Sequence, residues 1–518
     1  MEMKRCLSLK LLILFYSYIF IAGCTTLQVE EGRKNSIAFS ESLYTSLGQL
    51  SFAASSNHAK ESGFLILNTG QDALQKRFIL ISAAEQAIDL QYYIWNSDKS
   101  GRLLAQQLLL AADRGVRVRL LLDDFSIGGR DSLLLLMDHH PNIEIRIYNP
   151  NPSRKGTVRK TLGFIDEFGR LNQRMHNKSF IVDGSAAIVG GRNIGDEYFD
   201  LNHDLNFRDR DLLTVGPIVT GVAKSFDAYW NNERAFSITT LVKELPNKDE
   251  ALTFRKGIKE KVLQDNVTIS VENNSFETWL SVMIWAQAEI VYDQVRALDD
   301  IDHDTRKLVA NSLREVAKGT TSELLIESAY LVPGDDAMML LKELTEDGVK
   351  VRAITNSLAS NDLTTNHSGY VRRREELLEN GAELFELRPD AISCRDLIRS
   401  SIACDDDTLF GLHAKSAVLD RKIVFVGSFN FNQRSIYLNS ELGLLIYSSE
   451  LAEIIAQDIE QNFSLENSWQ VVLDEKGNLQ WNGIKEGVDV QYSHEPETGF
   501  WRRFNSGFFS IFPIEKYL

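Results

Sequence analysis

Apolar residues along this chain follow two alternating rhythms. AIDLQYYIW (87–95) and VRVRLLLDD (116–124) are near-continuous or every-second apolar runs and predict strands. Between them, LLAQQLLLAADRG (103–115) has the three-and-four spacing of an amphipathic helix. SELLIESAYLV (322–332), AMMLLKELTEDG (337–348) and VKVRAITNS (349–357) repeat the same strand–helix–strand unit, so the chain reads as an internal duplication. Strands alternating with such helices predict the α/β class, as two tandem α/β/α domains packed face to face. The expected domains are 61–240 and 321–480. Between them, 241–320 reads as a charged helical connector that could roof a cleft, with helix-like spacing in WLSVMIWAQAEIVYDQV (279–295) and LVANSLREVAKG (308–319). Residues 481–518 form a tail, aromatic in GFWRRFNSGFFSIF, expected to pack on the core rather than on a bilayer.

The second half of each repeat carries the chemistry. Residues 176–193 read HNKSFIVDGSAAIVGGRN, and residues 413–430 read HAKSAVLDRKIVFVGSFN. Each has a His, a Lys two places on, an Asp five places after the Lys, and a Gly-small-x-Asn at the same distance. On a strand, positions i and i+2 share a face, so His176 and Lys178 point into one space, as do His413 and Lys415. Turns at Asp183-Gly184 and Asp420-Arg421 bring Asn193 and Asn430 back beside them. Lys and Asn donate to phosphoryl oxygens, and imidazole suits nucleophilic attack or proton transfer near neutral pH. Two such sites facing each other put two histidines on opposite sides of one phosphorus, as a double displacement needs. Asp183 and Asp420 belong to the constellation but sit at strand ends, where they are expected to anchor turns. A histidine also needs its other nitrogen held. Glu441 in NSELGLLI and Asp211 in RDRDLLTV are the candidates, with Asp209 competing for the second role. No His/Cys cluster has metal-ligand spacing, and neither metal nor cofactor is expected.

The paired HxKxxxxD motifs resemble those of the phospholipase D superfamily. QYYIW (91–95), NHSGYVRRREELLENGAELFEL (366–387), GSFNFNQRSIYLNSE (427–441) and PIEKYL (513–518) are most similar to bacterial cardiolipin synthases of the C type, over roughly residues 60–518. The resemblance implies two phospholipase D-like domains with the active site at their interface. It implies a phosphatidyltransferase working through a phosphatidyl-histidine, with His176 as nucleophile and His413 as acid and base. It further implies that Gln91, Tyr93, Glu327, His367 and Tyr370 line the cleft. Gly190-Gly191 departs from the common Gly-Ser, a loss of hydroxyl expected to matter little. A hydrolytic phospholipase D would use the same site with water as acceptor. An envelope nuclease is the alternative in another substrate class, but the formal net charge of −16 opposes nucleic-acid binding, which a basic field drives. Phospholipids, phosphatidylglycerol above all with phosphatidylethanolamine as a second candidate, are the expected substrates. Basic residues Arg154, Lys155, Arg159, Lys160 and 372–374 could meet their headgroups.

The N-terminus supplies an address. A basic start, the apolar run LLILFYSYIFIAG and Cys24 after Ile21-Ala22-Gly23 match a secretory signal ending in a bacterial lipobox. Cleavage after residue 23 would leave Cys24 to carry lipid and residues 24–60 as a tether, anchoring the enzyme in the cell envelope facing the periplasm. Thr25 rather than Asp resembles lipoproteins sorted to the outer membrane. In that oxidising setting Cys394 and Cys404 could pair.

Overall fold

The computed structural model describes residues 32–154, 167–242, 244–269, 275–296, 307–394, 408–512 and 515–517. The first half contributes β1 (Ser62–Leu67), β2 (Ala87–Tyr92), β3 (Arg117–Asp123), β4 (Ile143–Tyr148), β5 (Ser179–Val182), β6 (Ala186–Gly190), β7 (Leu205–Arg208), β8 (Asp211–Val215) and β9 (Ala235–Ser237). After β10 (Ile284–Tyr292), the second half contributes β11 (Glu323–Ser328), β12 (Lys350–Asn356), β13 (Glu383–Leu387), β14 (Leu409–Leu412), β15 (Lys415–Leu419), β16 (Ile423–Gly427), β17 (Leu442–Tyr447), β18 (Ser468–Leu473), β19 (Leu479–Lys485) and β20 (Val488–Tyr492).

Both expected strand–helix–strand units are present. Helix Lys99–Asp113 links the parallel pair β2 and β3, and helix Asp335–Glu346 links the parallel pair β11 and β12. In each half the first of these strands also pairs antiparallel with the strand after the motif histidine, β2 with β5 and β11 with β15. The motif hairpins β5–β6 and β15–β16 follow, and their second strands pair with β8 and β17, respectively. These strands carry almost no exposed residue, because helices cover both faces of the sheet.

The connector departs from expectation. Helix Leu308–Lys318 forms, but most of 279–295 does not continue as a helix: after the short Phe276–Ser281 turn of helix, β10 runs from Ile284 to Tyr292. Ala286, Ala288 and Ile290 alternate with Trp285, Gln287 and Glu289, a period of two that also satisfies a loose helical spacing. Tertiary pairing decides the matter. Ser62–Phe64 of β1 pair with 284–286 of β10, and 287–292 pair with β17, so this strand splices the two half-sheets into one eighteen-stranded sheet. Residue 480 likewise does not end the second half, since β19 and β20 extend its sheet beyond β18.

A second junction lies off the main sheet. β7 pairs in parallel with β14 from Leu205↔Leu409 to Arg208↔Leu412. It carries the segment Arg208-Asp209-Arg210 out of its own half and against the start of the second motif.

Candidate active site

Each histidine is fixed by the opposite half. The His176 amide donates to the Ser440 carbonyl at 2.9 Å, and the His413 amide donates to the Arg208 carbonyl at 2.8 Å. The carboxylates are exchanged as well. His176 Nδ1 lies 2.9 Å from Glu441 Oε2, and His413 Nδ1 lies 2.5 Å from Asp209 Oδ2. A carboxylate on Nδ1 holds the imidazole in the tautomer that leaves Nε2 unprotonated.

Asp209, not Asp211, is therefore the carboxylate that follows the first motif, and the pairing is crossed: Glu441 holds His176 and Asp209 holds His413, where each acid is expected behind the histidine of its own motif. The sheet register gives the reason. The motif glycine Gly190 pairs with Asp211 in β8, and its counterpart Gly427 pairs with Gly443 in β17. Two residues before those partners stand Asp209 and Glu441, so these two are the structural equivalents. Asp211 stays within the first half: Arg77 donates to it at 2.8 Å and the Arg192 amide at 3.2 Å. It holds the turn leading to Asn193.

The same register explains Gly191. Its counterpart Ser428 donates its hydroxyl to Glu441 at 2.5 Å, and Ser435 adds a second hydroxyl at 2.7 Å. In the first half a Cβ on Gly191 would stand 2.1 Å from Asp209 Oδ1. A side chain at 191 would have to displace the Asp209 carboxylate.

The lysines pack against their own histidines. Lys178 Nζ donates to the His176 carbonyl at 2.6 Å, and Lys415 Nζ lies 3.0 Å from His413 Nδ1. Asn193 Oδ1 accepts from the Ile94 amide at 3.2 Å and its side chain also hydrogen-bonds Tyr198, while Asn430 Oδ1 has no hydrogen-bond partner. Tyr93 stands edge-on to His176 at 5.0 Å with Lys178 over its ring, and Tyr198 and Phe207 flank His413 at 5.0 and 5.2 Å. Sequence reasoning missed Tyr198 and Phe207. The signal was their place just after the first motif, on the segment that crosses to the other half.

Burial sets the charge states. It pushes His176 down to about 4, with the Glu441 charge opposing and Lys178 reinforcing. Burial with Lys415 and Lys178 pushes His413 well below its ordinary value. Lys178 falls to about 7 and Lys415 to about 8, by burial first and despite Glu441 and Asp209 nearby. For Glu441 the burial penalty is outweighed by His176, Lys178 and the Ser428 hydroxyl, so it stays below its usual value. For Asp209 burial prevails over Lys415 and Arg192 and raises it. The two lysines, the two histidines and the carboxylates Glu441 and Asp209 thus form one buried cluster whose charges set one another's protonation.

Asp183 and Asp420 anchor turns, as expected. Asp183 accepts from the amides of Glu85, Gln86 and Ala87 at 2.8–2.9 Å, and Asp420 accepts from the amides of Thr321, Ser322 and Glu323. Each clamps its hairpin to the start of the neighbouring strand, β2 or β11. Both have φ near +51°, a conformation Asp tolerates, as the turn requires.

Other expected cleft residues are placed differently. Gln91 is fully buried between β5 and β3 and accepts from Ser179 Oγ at 3.4 Å. Glu327 does not line the cleft: Arg208 donates to it at 2.8 Å and Arg210 pairs with it, and both arginines also pair with Asp458. It therefore steadies the two neighbours of Asp209. His367 and Tyr370 belong to a buried cluster in which Arg374 binds Glu386 and Glu495 at 2.9 and 2.8 Å, and His367 Nε2 lies 3.3 Å from Glu495. The neighbouring basic residues are also spent on acids: Arg154 on Asp124 and Asp131, Arg373 on Asp335, and Arg372 on Glu515. Lys155, Arg159 and Lys160 lie outside the described residues. Cys394 is disulfide-bonded; Cys404, its expected partner, and Cys24 also lie outside them.

Residues 78–230 and 313–463 match the family described as cardiolipin synthase, PLD-like domain. The chain belongs to this family. The two matched stretches contain the two motif hairpins, so the duplication and the family agree on one domain per motif. Cardiolipin synthase C of Escherichia coli (strain K12) is 38% identical over 468 residues, covering 89% of this chain and 97% of that protein. An uncharacterized protein of Helicobacter pylori (strain ATCC 700392 / 26695) is 30% identical over 98% of this chain and 99% of its own length. The major cardiolipin synthase of Bacillus subtilis (strain 168) is 24% identical over 78% of this chain and 70% of its own length. Among solved structures, phosphatidylserine synthase of Haemophilus influenzae Rd KW20 shares the fold at a TM-score of 0.55, with 14% identity, over 81% of this chain and 92% of that one. The chain is accordingly an enzyme of the phospholipase D type, a phosphatidyltransferase.

Proposed function

We propose that the protein makes cardiolipin from two molecules of phosphatidylglycerol, and that it does so while anchored to a membrane through Cys24. The observation that carries the mechanism is the exchange of carboxylates: each histidine is a composite of both halves, so both must be in place for either to work.

His176 Nε2 attacks the phosphorus of the first phosphatidylglycerol. The nitrogen–phosphorus bond forms as the bond to the glycerol headgroup breaks, and His413 delivers its proton to the departing oxygen. Glu441, kept below its usual value by His176, Lys178 and the Ser428 hydroxyl, offsets the positive charge that develops on the attacked imidazole. Lys178, Lys415, Asn193 and Asn430 are the donors for the two non-bridging oxygens. His413 is neutral in the free protein. The phosphodiester's negative charge, placed between it and two ammonium groups, restores the proton affinity that burial removes. A hydroxyl of the second phosphatidylglycerol then loses its proton to His413 and attacks the phosphatidyl-histidine. The nitrogen–phosphorus bond breaks, and cardiolipin and free glycerol leave.

What supports His176 as nucleophile is the contrast between its ionised Glu441 and the less acidic Asp209 behind His413. Acid quench during turnover should leave the phosphatidyl group on the peptide containing His176; an adduct on the His413 peptide would reverse the roles. For the anchor, labelled palmitate should enter the wild type and not Cys24→Ser. Equal labelling of both would remove the lipoprotein reading.

A further inference from the structure

The helix Phe500–Phe509 is amphipathic the wrong way round for a helix packed on a protein. A surface helix ordinarily turns its apolar stripe inward. Here Ser506 is buried and Arg502 donates to the Asn361 carbonyl, so the helix turns a polar side to the body, while Arg503 donates to the Thr498 carbonyl at the helix's own start. The outer face is Phe500, Trp501, Phe504 and Phe508, continued by Ile511 and Phe512, with Trp501 71% and Ile511 73% exposed. Their rings form a ladder: Phe500 to Phe504 at 6.2 Å, Phe504 to Phe508 at 6.3 Å, and Phe508 to Phe512 at 5.4 Å.

The location of this face selects its occupant. Arg502 donates to the carbonyl of Asn361, the neighbour of Asp362, which accepts from Tyr330 Oη at 2.8 Å; Tyr330 lies two residues after Ser328, the strand partner of Lys415. Leu363, also exposed, follows Asp362. Across the site, exposed Phe125 stacks at 5.5 Å on Tyr93, the ring that faces His176. Exposed apolar side chains therefore stand on both sides of the reacting groups, one set on the Lys415 side and one on the His176 side. A diacyl phospholipid keeps its chains in the bilayer while its phosphate lies at the headgroup level. A site that reaches this phosphate must bring its rim to the interface, where Trp and Phe are the favoured side chains.

We propose that the aromatic face of helix Phe500–Phe509, continued by Ile511 and Phe512, seats in the interfacial layer of a phospholipid bilayer and holds the mouth of the site at the headgroup plane. The expectation that the tail merely packs on the core is replaced by a helix that packs by its polar side and binds lipid by the other. The proposal rests on the reading of phospholipids as substrates.

The test uses the full chain and its Trp501→Ser/Phe504→Ser/Phe508→Ser variant, whose changed side chains are exposed. Turnover is measured on vesicles of phosphatidylethanolamine with phosphatidylglycerol, and on short-chain phosphatidylglycerol kept monomeric. The variant should lose at least about tenfold on vesicles and stay within about twofold of wild type on the monomeric lipid. Brominated-lipid vesicles should quench wild-type tryptophan fluorescence more than that of Trp501→Phe. Equal vesicle turnover, equal loss on both lipid forms, or identical quenching would overturn the proposal. A variant whose solution mass halves while its vesicle turnover holds would assign the face to a second copy of the chain and also overturn it. A wild type inactive on both lipid forms would refute the substrate reading instead, and the quenching would still report bilayer seating independently.

Discussion

Replacing Glu441 by Gln tests the exchanged carboxylates with the least steric change. The amide can keep its contacts with the Ser428 and Ser435 hydroxyls, so the site keeps its shape. What it loses is the charge 2.9 Å from His176 Nδ1, and an amide NH2 can turn to Nδ1 and select the wrong tautomer. A hydrogen bond to a charged group contributes about 1.5–3 kcal/mol. Full Coulomb attraction at that distance, with an effective dielectric of about 20, sets an upper bound on the order of 5 kcal/mol. A barrier raised by roughly 2–5 kcal/mol slows the reaction by roughly thirtyfold to a few thousandfold. The assay is cardiolipin formation from labelled phosphatidylglycerol, with thermal unfolding as the check on fold. Acid-quenched samples should also show less adduct on the His176 peptide, although the substitution lies in the other half of the chain. A folded Glu441→Gln protein that retains turnover within about threefold of wild type would refute the assigned role of this carboxylate.

Three further outcomes follow from particular contacts. Gly191→Ser should lower Tm by the equivalent of about 1–3 kcal/mol and depress turnover, because its Cβ would displace Asp209; unchanged Tm and activity would show that this approach is not tight. Asp420 is held well below the usual carboxylate range, against a burial penalty, by the Ser322 hydroxyl and three amides, so its stabilisation is present above the unfolded value and fades as pH falls toward the folded one. Asp420→Asn should therefore lower Tm at neutral pH with turnover per folded molecule preserved, and the gap to wild type should shrink below about pH 4. The pH profile of kcat/KM on monomeric lipid should fall on the acid side near 4, where His176 gains a proton and loses its attacking lone pair, and on the basic side from about 7, where Lys178 loses its charge. An acid limb at the ordinary imidazole value of about 6.5 would contradict the burial that lowers it.

The repeated motif made much of this site readable before any fold was known. His176, Lys178, Asn193 and their counterparts at 413, 415 and 430 are fixed relative to one another by a single hairpin, and a two-residue period suffices to place them. Asp183 and Asp420 were legible as turn anchors for the same reason. The pairing of Asp209 with His413 was not, because it depends on β7 leaving its own sheet to join β14, a contact between residues some two hundred positions apart. The acids two places before the strand partners of Gly190 and Gly427 are equivalent, yet that equivalence exists only in the register. β10 escapes the sequence pattern for a related reason. Its alternation fits two periods, and only pairing with β1 and β17 makes it a strand. The resemblance places Glu327 and His367 in the cleft, whereas their partners are Arg208 and Glu495, which the sequence does not bring near them.

One measurement bears on the central claim most directly: the lipid products formed when purified protein meets labelled phosphatidylglycerol, with and without phosphatidylethanolamine, for the wild type and for His176→Ala and His413→Ala. The account predicts cardiolipin and free glycerol from the wild type with phosphatidylglycerol alone, and neither product from either variant. Phosphatidic acid as the sole lipid product, or cardiolipin still formed at an appreciable rate by one of the two variants, would contradict it.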